Sequence, residues 1–169
     1  MKRLSIAIGV LLLSAAGLLL LGPLRAQAGS IPQFGIALGR YGFRKEIPNS
    51  LGIDLEIRTP WSWKWFRPVA GVVANSTGGA YLYSGIVFDV PLPGRFHLTP
   101  GFAPGVILFR GDGDLGSRVE FRSSLEVSFS PADALRIAVA FSHISNARLT
   151  QHNPGVEVLT LGVIFPAGD

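Results

Sequence analysis

Residues 50–58 read Ser50-Leu51-Gly52-Ile53-Asp54-Leu55-Glu56-Ile57-Arg58. Leu51, Ile53, Leu55 and Ile57 share one parity, while Gly52, Asp54, Glu56 and Arg58 share the other. That is the period of two that a β-strand imposes when one face is apolar and the other polar. The alternation returns further along the chain, where Val119, Phe121, Leu125, Val127 and Phe129 oppose Glu120, Arg122, Ser124, Glu126 and Ser128. Charges occupy one face across strands, and aliphatics the other.

Working outward from this stretch, eight such runs are separated by turn residues, at 33–42, 50–59, 67–75, 79–90, 95–105, 118–129, 135–144 and 156–165. No helical periodicity appears beyond the N-terminal segment. An even number of strands suits an antiparallel barrel whose ends meet.

Parity alone leaves two barrels open. In a soluble one the apolar face points inward, and in a membrane one it points out. Three features favour the membrane. The strands are near the length needed to cross a bilayer, the apolar face is dominated by Leu, Ile, Val and Phe, and aromatics gather near strand ends. Trp61, Trp63, Trp65 and Phe66 read as an interfacial anchor. The expected fold is an all-β, eight-stranded antiparallel transmembrane β-barrel. With a periplasmic start to strand one, 91–94 and 130–134 are inner turns, and 43–49, 76–78, 106–117 and 145–155 are outer loops.

The segment before the first strand has a different character. Lys2 and Arg3 precede an uncharged apolar run from Leu4 to Leu24, followed by Ala26-Gln27-Ala28. This is the layout of a secretory signal at 1–28; the run is long enough for an uncleaved anchor as well, but Pro23 and the Ala-x-Ala ending favour cleavage, leaving a barrel domain at 29–169. Its removal takes Lys2, Arg3 and Arg25 from the fifteen basic residues and none of the eleven acidic ones, leaving 12 against 11. A near-neutral mature chain without charge runs gives no reason to expect nucleic acid as a partner. The chain contains no cysteine, so disulfides and thiolate metal sites are excluded.

One stretch departs from simple alternation. In strand seven Leu135, Ile137, Val139 and Phe141 are continued on the same parity by His143 and Ser145. In strand eight Leu159, Leu161, Val163 and Phe165 share a row with Glu157, which a hairpin brings beside the outer end of strand seven. Glu157 can then orient the imidazole of His143, and His143 can take the proton of Ser145, the division of labour that makes a hydroxyl nucleophilic. Ordinary polar residues at a barrel rim remain the other reading. A carboxylate on an apolar row nevertheless calls for a partner. Of the remaining candidates, His97 reads as a packed interior histidine and His152 as a solvated loop residue. Asp112 and Asp114 read as an exposed turn rather than a calcium site.

Phe141-Ser142-His143-Ile144-Ser145-Asn146-Ala147, followed by Asn153-Pro154-Gly155 and Glu157, resembles the signature of the PagL-type lipid A 3-O-deacylases. The motif lies within the C-terminal hairpin, and the rest of the chain matches in architecture only. The resemblance implies a Gram-negative outer-membrane barrel that hydrolyses the 3-position acyl ester of lipid A. Ser145 would be the nucleophile, His143 the general base and Glu157 the group orienting it. Asn146 would hold the oxyanion or position the site, and Phe121 would meet the acyl chain. It implies lipid A of lipopolysaccharide as substrate, outer-membrane lipids as surroundings, and no cofactor or metal. Arg40, Arg44, Lys45, Arg110 and Arg148 near the outer ends are candidates for the lipid A phosphates. Pairing of the barrel with a second copy as a homodimer is left open. The alternative function is a non-catalytic structural or adhesive barrel.

Overall fold

The computed structural model describes residues 31–43, 47–62, 64–133 and 135–166, and the expected signal segment lies outside them. Among the described residues nine strands follow in order: β1 Gln33–Tyr41, β2 Ser50–Arg58, β3 Phe66–Asn75, β4 Gly79–Phe88, β5 Val90–Leu92, β6 Phe96–Arg110, β7 Val119–Ala132, β8 Leu135–Ser145 and β9 Val156–Pro166. Each pairs antiparallel with its neighbours, and β1 pairs with both β2 and β9. β4 and β5 both pair with β6 on either side of Asp89, so they are two parts of one stave. The result is a closed barrel of eight staves.

The barrel is inside out relative to a soluble protein. Leu38, Leu51, Phe109 and Leu161 are 60–70% exposed, whereas Asp54, Arg58, Glu120 and Arg122 are buried. Continuous outward rows of Leu, Ile, Val and Phe form a far larger apolar surface than water tolerates, and lipid is the solvent that suits them. The two-fold ambiguity left by parity is thereby resolved.

The interior is filled by charge rather than by aliphatics at mid-height. Arg58 holds Glu126 and Glu56 at 2.6 Å, and Arg122 holds Asp54 at 2.8 Å. The Tyr83 hydroxyl donates to Asp54 at 2.9 Å, and the Arg122 guanidinium lies 4.5 Å from the centroid of the Tyr83 ring. Arg122 Nε also donates to Ser142 Oγ at 3.2 Å. These contacts link β2, β4, β7 and β8 across the lumen. Nearer the outer mouth the filling turns apolar, with Tyr41, Ile47, Val73, Tyr81, Ile107, Leu115, Ile144 and Val156 in one cluster.

At the opposite end Phe34–Phe165, Phe66–Phe88 and Phe96–Phe129 form ring pairs with centroids 5.0–6.2 Å apart. With exposed Trp61 and Trp65 they make an aromatic girdle at one interface. Trp63 lies outside the described residues. The three longest connections, 42–49, 111–118 and 146–155, all emerge at the other end, which marks it as the outer one.

Besides shifts of one residue, the strand boundaries depart from the expected ones at β4–β5, β6 and β7; the run expected at 79–90 breaks at Asp89 and resumes to Leu92, so the inner turn expected at 91–94 narrows to 93–95. β6 runs on to Arg110 rather than stopping at Gly105, so the outer loop shrinks to 111–118. Gly105 reads as a stop, but an added Cβ would meet Leu82 O and the Tyr81 ring at 2.4 and 2.6 Å. It is a close-packed strand residue, not a turn. Tyr81 pairs with Ile107 and Ala80 with Phe109, which leaves Leu108 as a bulge that turns both Leu108 and Phe109 outward. β7 continues to Ala132 through an irregularity after Phe129, narrowing the inner turn expected at 130–134. Arg95 belongs to a 3-10 turn, Pro93–Arg95, and not to the following strand.

Removing a charge from the interior and adding one to an outward row should both destabilise the barrel. Arg58→Ala leaves Glu56 and Glu126 buried without their cation and is expected to cost about 3–5 kcal/mol. Leu161→Arg, on the lipid face at the middle of β9, is expected to cost about 2–4 kcal/mol. Reversible urea unfolding in lipid vesicles measures both. Wild-type stability in either variant would contradict the assignment of faces.

Candidate active site at the outer end of the β8–β9 hairpin

On β8 the outward row Ile137, Val139 and Phe141 is exposed, and Ala138, Ala140, Ser142 and Ile144 are buried within the lumen. His143 and Ser145 continue the outward row, as their parity requires. Glu157 stands directly opposite His143 in the β8–β9 ladder. Its Oε1 lies 3.4 Å from His143 Nδ1, with the imidazole side chain 41% exposed and the carboxylate 12%. The pair therefore sits in electrostatic contact, slightly longer than a charge-assisted hydrogen bond.

Ser145 is the last residue of β8, two positions beyond His143 and about 7 Å further along the strand. Among the described residues its side chain makes no hydrogen bond, so the serine–imidazole contact requires rotation of one side chain towards the other. Hydrogen bonds between such groups commonly tighten only when a substrate is engaged. Phe121 of β7 lies directly across from Ser145 and stacks on Phe102, with centroids 6.0 Å apart. The serine is thus bordered by an aromatic wall, and below it Phe141 and Leu159 begin the apolar band.

Immediately after the serine the chain turns sharply. Leu149 N–H donates to Asn146 O at 3.0 Å, closing a turn whose central residues Ala147 and Arg148 have φ of 50° and 64°. Two consecutive left-handed residues that are not glycine cost about 1–3 kcal/mol each, and surrounding contacts must hold them. Asn146 is fully buried and provides several. Its backbone N–H donates to Asn153 Oδ1 at 3.0 Å, and its Nδ2 faces Leu115 O, Thr150 Oγ1 and His152 O at 2.8–3.0 Å. Both kinds of donor are engaged by loop acceptors. An oxyanion role for Asn146 therefore requires one of these bonds to be exchanged, whereas a positioning role needs no change.

Two contributors escape a reading of the sequence alone. Ser123 of β7 faces outward directly beside His143, placing a hydroxyl in a row otherwise made of Phe121, Leu125, Val127 and Phe129. Its signal is that break in the apolar row. Gly155 has φ of 66°, and a Cβ there would meet His143 Cε1 at 2.7 Å and Nε2 at 3.2 Å. Its backbone packs on the edge of the imidazole, a contact that only a residue without a side chain permits.

The other candidates lie elsewhere. His97 is half-buried at the inner end, with Nδ1 3.0 Å from Asp89 Oδ1, and Arg136 binds the same carboxylate. His152 is exposed, as expected, but it is not simply solvated, because its Nε2 lies 3.1 Å from Asp114 O. Asp114 Oδ1 accepts from Arg110 and from Gly116 N–H. Arg40 bonds Asn49 and lies over the Phe43 ring, Arg148 is exposed in the turn that follows Ser145, and Arg44 and Lys45 fall outside the described residues.

A carboxylate, an imidazole and a hydroxyl in this order on one face can perform acyl transfer, with the site opening to the lipid rather than to the lumen. The family model described as lipid A 3-O-deacylase (PagL) matches residues 50–166. The fold is similar to the crystal structure of the outer membrane enzyme PagL, with a TM-score of 0.67 at 20% identity, covering 80% of this chain and 99% of that one. It is also similar to a de novo designed transmembrane β-barrel, with a TM-score of 0.58 at 11% identity, covering 83% and 98%. Neisserial surface protein A gives 0.56 at 11% identity, covering 80% and 96%. At these identities the structural likeness speaks for the barrel alone. No curated protein matches the chain.

The packing of Gly155 on the imidazole generates a prediction. Gly155→Ala should leave the barrel folded but displace the His143 ring, moving its imidazole NMR resonances while those of His97 stay in place. Unchanged His143 resonances in the folded variant would show that the contact is not formed.

Proposed function

The chain belongs to the lipid A 3-O-deacylase (PagL) family, and from that premise we propose that it hydrolyses the 3-position acyl ester of lipid A through Ser145, His143 and Glu157. Its barrel is an outer-membrane one. The observation that carries the residue assignment is the directly opposed His143–Glu157 pair at 3.4 Å on an outward row that also bears Ser145.

Ser145 Oγ attacks the ester carbonyl while His143 takes its proton, and Glu157 at Nδ1 stabilises the imidazolium that results. Collapse of the tetrahedral intermediate breaks the ester C–O bond, and the imidazolium returns the proton to the departing sugar oxygen. Water then attacks the acyl-serine with His143 again as base, releasing the fatty acid and restoring the serine. Every proton is passed among these groups, the substrate and water. Asn146 acts as a positioning residue for the turn that follows the nucleophile. Phe121, facing Ser145 across the ladder, is placed to flank the acyl chain.

The outward orientation suits the substrate. Lipid A in the outer leaflet carries its ester bonds just beneath the headgroups, and the catalytic row ends where the apolar band gives way to the outer loops. The bond can therefore be reached with its acyl chains still in the leaflet. The exposed Arg148 beside the turn, with Arg40 and Arg110, supplies positive charge at the level of the phosphates.

Expression in a Gram-negative host followed by mass spectrometry of lipid A tests the reading. Wild-type protein should remove one acyl chain, and Ser145→Ala and His143→Ala should each lower turnover roughly a thousandfold or more. Unaltered lipid A beside well-inserted wild-type barrel would favour the structural or adhesive alternative instead. Phe121→Ala should lower kcat/KM by roughly tenfold or more, the scale of losing a large apolar contact. Full activity in that variant would remove Phe121 from the site.

A further inference from the structure

We infer that the loop at 111–118 is a positioning element of this active site, clamping the loop at 146–155 through Asp114, Leu115 and Gly116 and so setting the turn that presents Ser145 and the glycine that abuts His143. The inference rests on the catalytic reading above and assigns a role to residues outside the row of Ser145, His143 and Glu157.

The two loops meet at three points. Asn146 Nδ2 donates to Leu115 O at 2.8 Å. His152 Nε2 lies 3.1 Å from Asp114 O, and because a carbonyl can only accept, that nitrogen carries the proton. At Gly116, with φ of 87°, an added Cβ would fall 1.9 Å from His152 O, so two backbones touch with no room for a side chain.

The clamping loop is itself anchored. Asp114 Oδ1 accepts the Gly116 N–H at 2.9 Å and is held by Arg110 at the end of β6. The Leu115 side chain is buried at the barrel mouth in the cluster that contains Ile144 and Val156. Those two face inward immediately behind His143, Ser145 and Glu157, so one apolar contact region backs both loop and catalytic hairpin.

The clamped loop has little freedom left. Asn146, bonded to Leu115, follows Ser145 directly and begins the left-handed pair Ala147–Arg148. His152, bonded to Asp114, leads through Asn153, which holds the Asn146 N–H, to Gly155 against the imidazole. Contacts from 111–118 thus reach the nucleophile at one end of the loop and the base at the other. A displacement of either by a fraction of an ångström to one ångström is enough to lose much of the rate.

The test compares wild type with Gly116→Ala, His152→Ala and His152→Gln, each confirmed as a folded barrel by its gel mobility without heating. Gly116→Ala is expected to lower kcat for lipid A by roughly tenfold or more with KM changed less than about twofold. Hydrogen exchange across 146–155 should quicken in the same variant. His152→Ala should show a smaller fall that His152→Gln, which retains a side-chain N–H donor, restores. Wild-type kcat in folded Gly116→Ala, or a loss confined to KM, overturns the clamp. Should Gly116→Ala fail to fold, equal kcat for wild type and both His152 variants overturns it. Wild-type protein without deacylase activity sinks the catalytic reading itself. Unaltered exchange across 146–155 in Gly116→Ala overturns the loop coupling whether or not the wild type is active.

Discussion

The seam between β1 and β9, where Phe34 meets Phe165 and Tyr41 meets Val158, is the contact on which the rest depends. Backbone N–H and C=O groups facing hydrocarbon have no water to bond, and each one left unpaired costs several kcal/mol. A sheet in lipid must therefore have no edge. Once the seam closes, every strand acquires an inside and an outside, and the alternation along its sequence becomes a division between lumen and lipid.

That division sets the energetics. The lipid face contributes little specificity, since one aliphatic serves nearly as well as another against acyl chains. Specific pairing falls to the lumen, where Arg58 and Arg122 each satisfy carboxylates from other strands while Tyr83 bridges Asp54 and Glu56. At mid-height the charges of Arg58, Arg122 and their carboxylates, which would be ruinous on the outside, are matched on the inside. The β8–β9 hairpin holds the exception to this rule. His143 and Glu157 are polar groups on an outward row, tolerable because they face each other and because the row ends there, at the outer interface.

The same hairpin shows how a rigid barrel carries a strained site. The ladder holds His143 and Glu157 in register, but Ser145 is the final residue of its strand and the next two turn residues beyond Asn146 are left-handed. The ladder cannot secure them. Hydrogen bonds of the buried Asn146, within its own loop and to Leu115 of the neighbouring one, and the backbone contact at Gly116 do so, which links the position of Ser145 to packing at the barrel mouth.

Much of this was legible in the residues. Leu51 through Arg58 carries the strand and its two faces, because a period of two is a local property of extended backbone. His143, Ser145 and Glu157 could be placed on one row by the same parity, and their order with Asn153-Pro154-Gly155 resembles a known family. The end of β6 could not be read, because Gly105 looks like a turn until Tyr81 and Leu82 are packed against it. His152 looked solvated, because its partner is a carbonyl 38 residues away in sequence.

What the sequence by itself determined is therefore periodic and local: strand identity, the segregation of charge from aliphatics, and the outward rows that carry His143, Ser145 and Glu157. Only the tertiary structure decided which face meets lipid, that Glu157 stands opposite His143, and that residues 111–118 touch the loop that follows Ser145. The physical reason is that alternation is written in neighbouring residues, whereas closure, register and loop contact arise between groups distant in the chain and exist only once the barrel has brought them together.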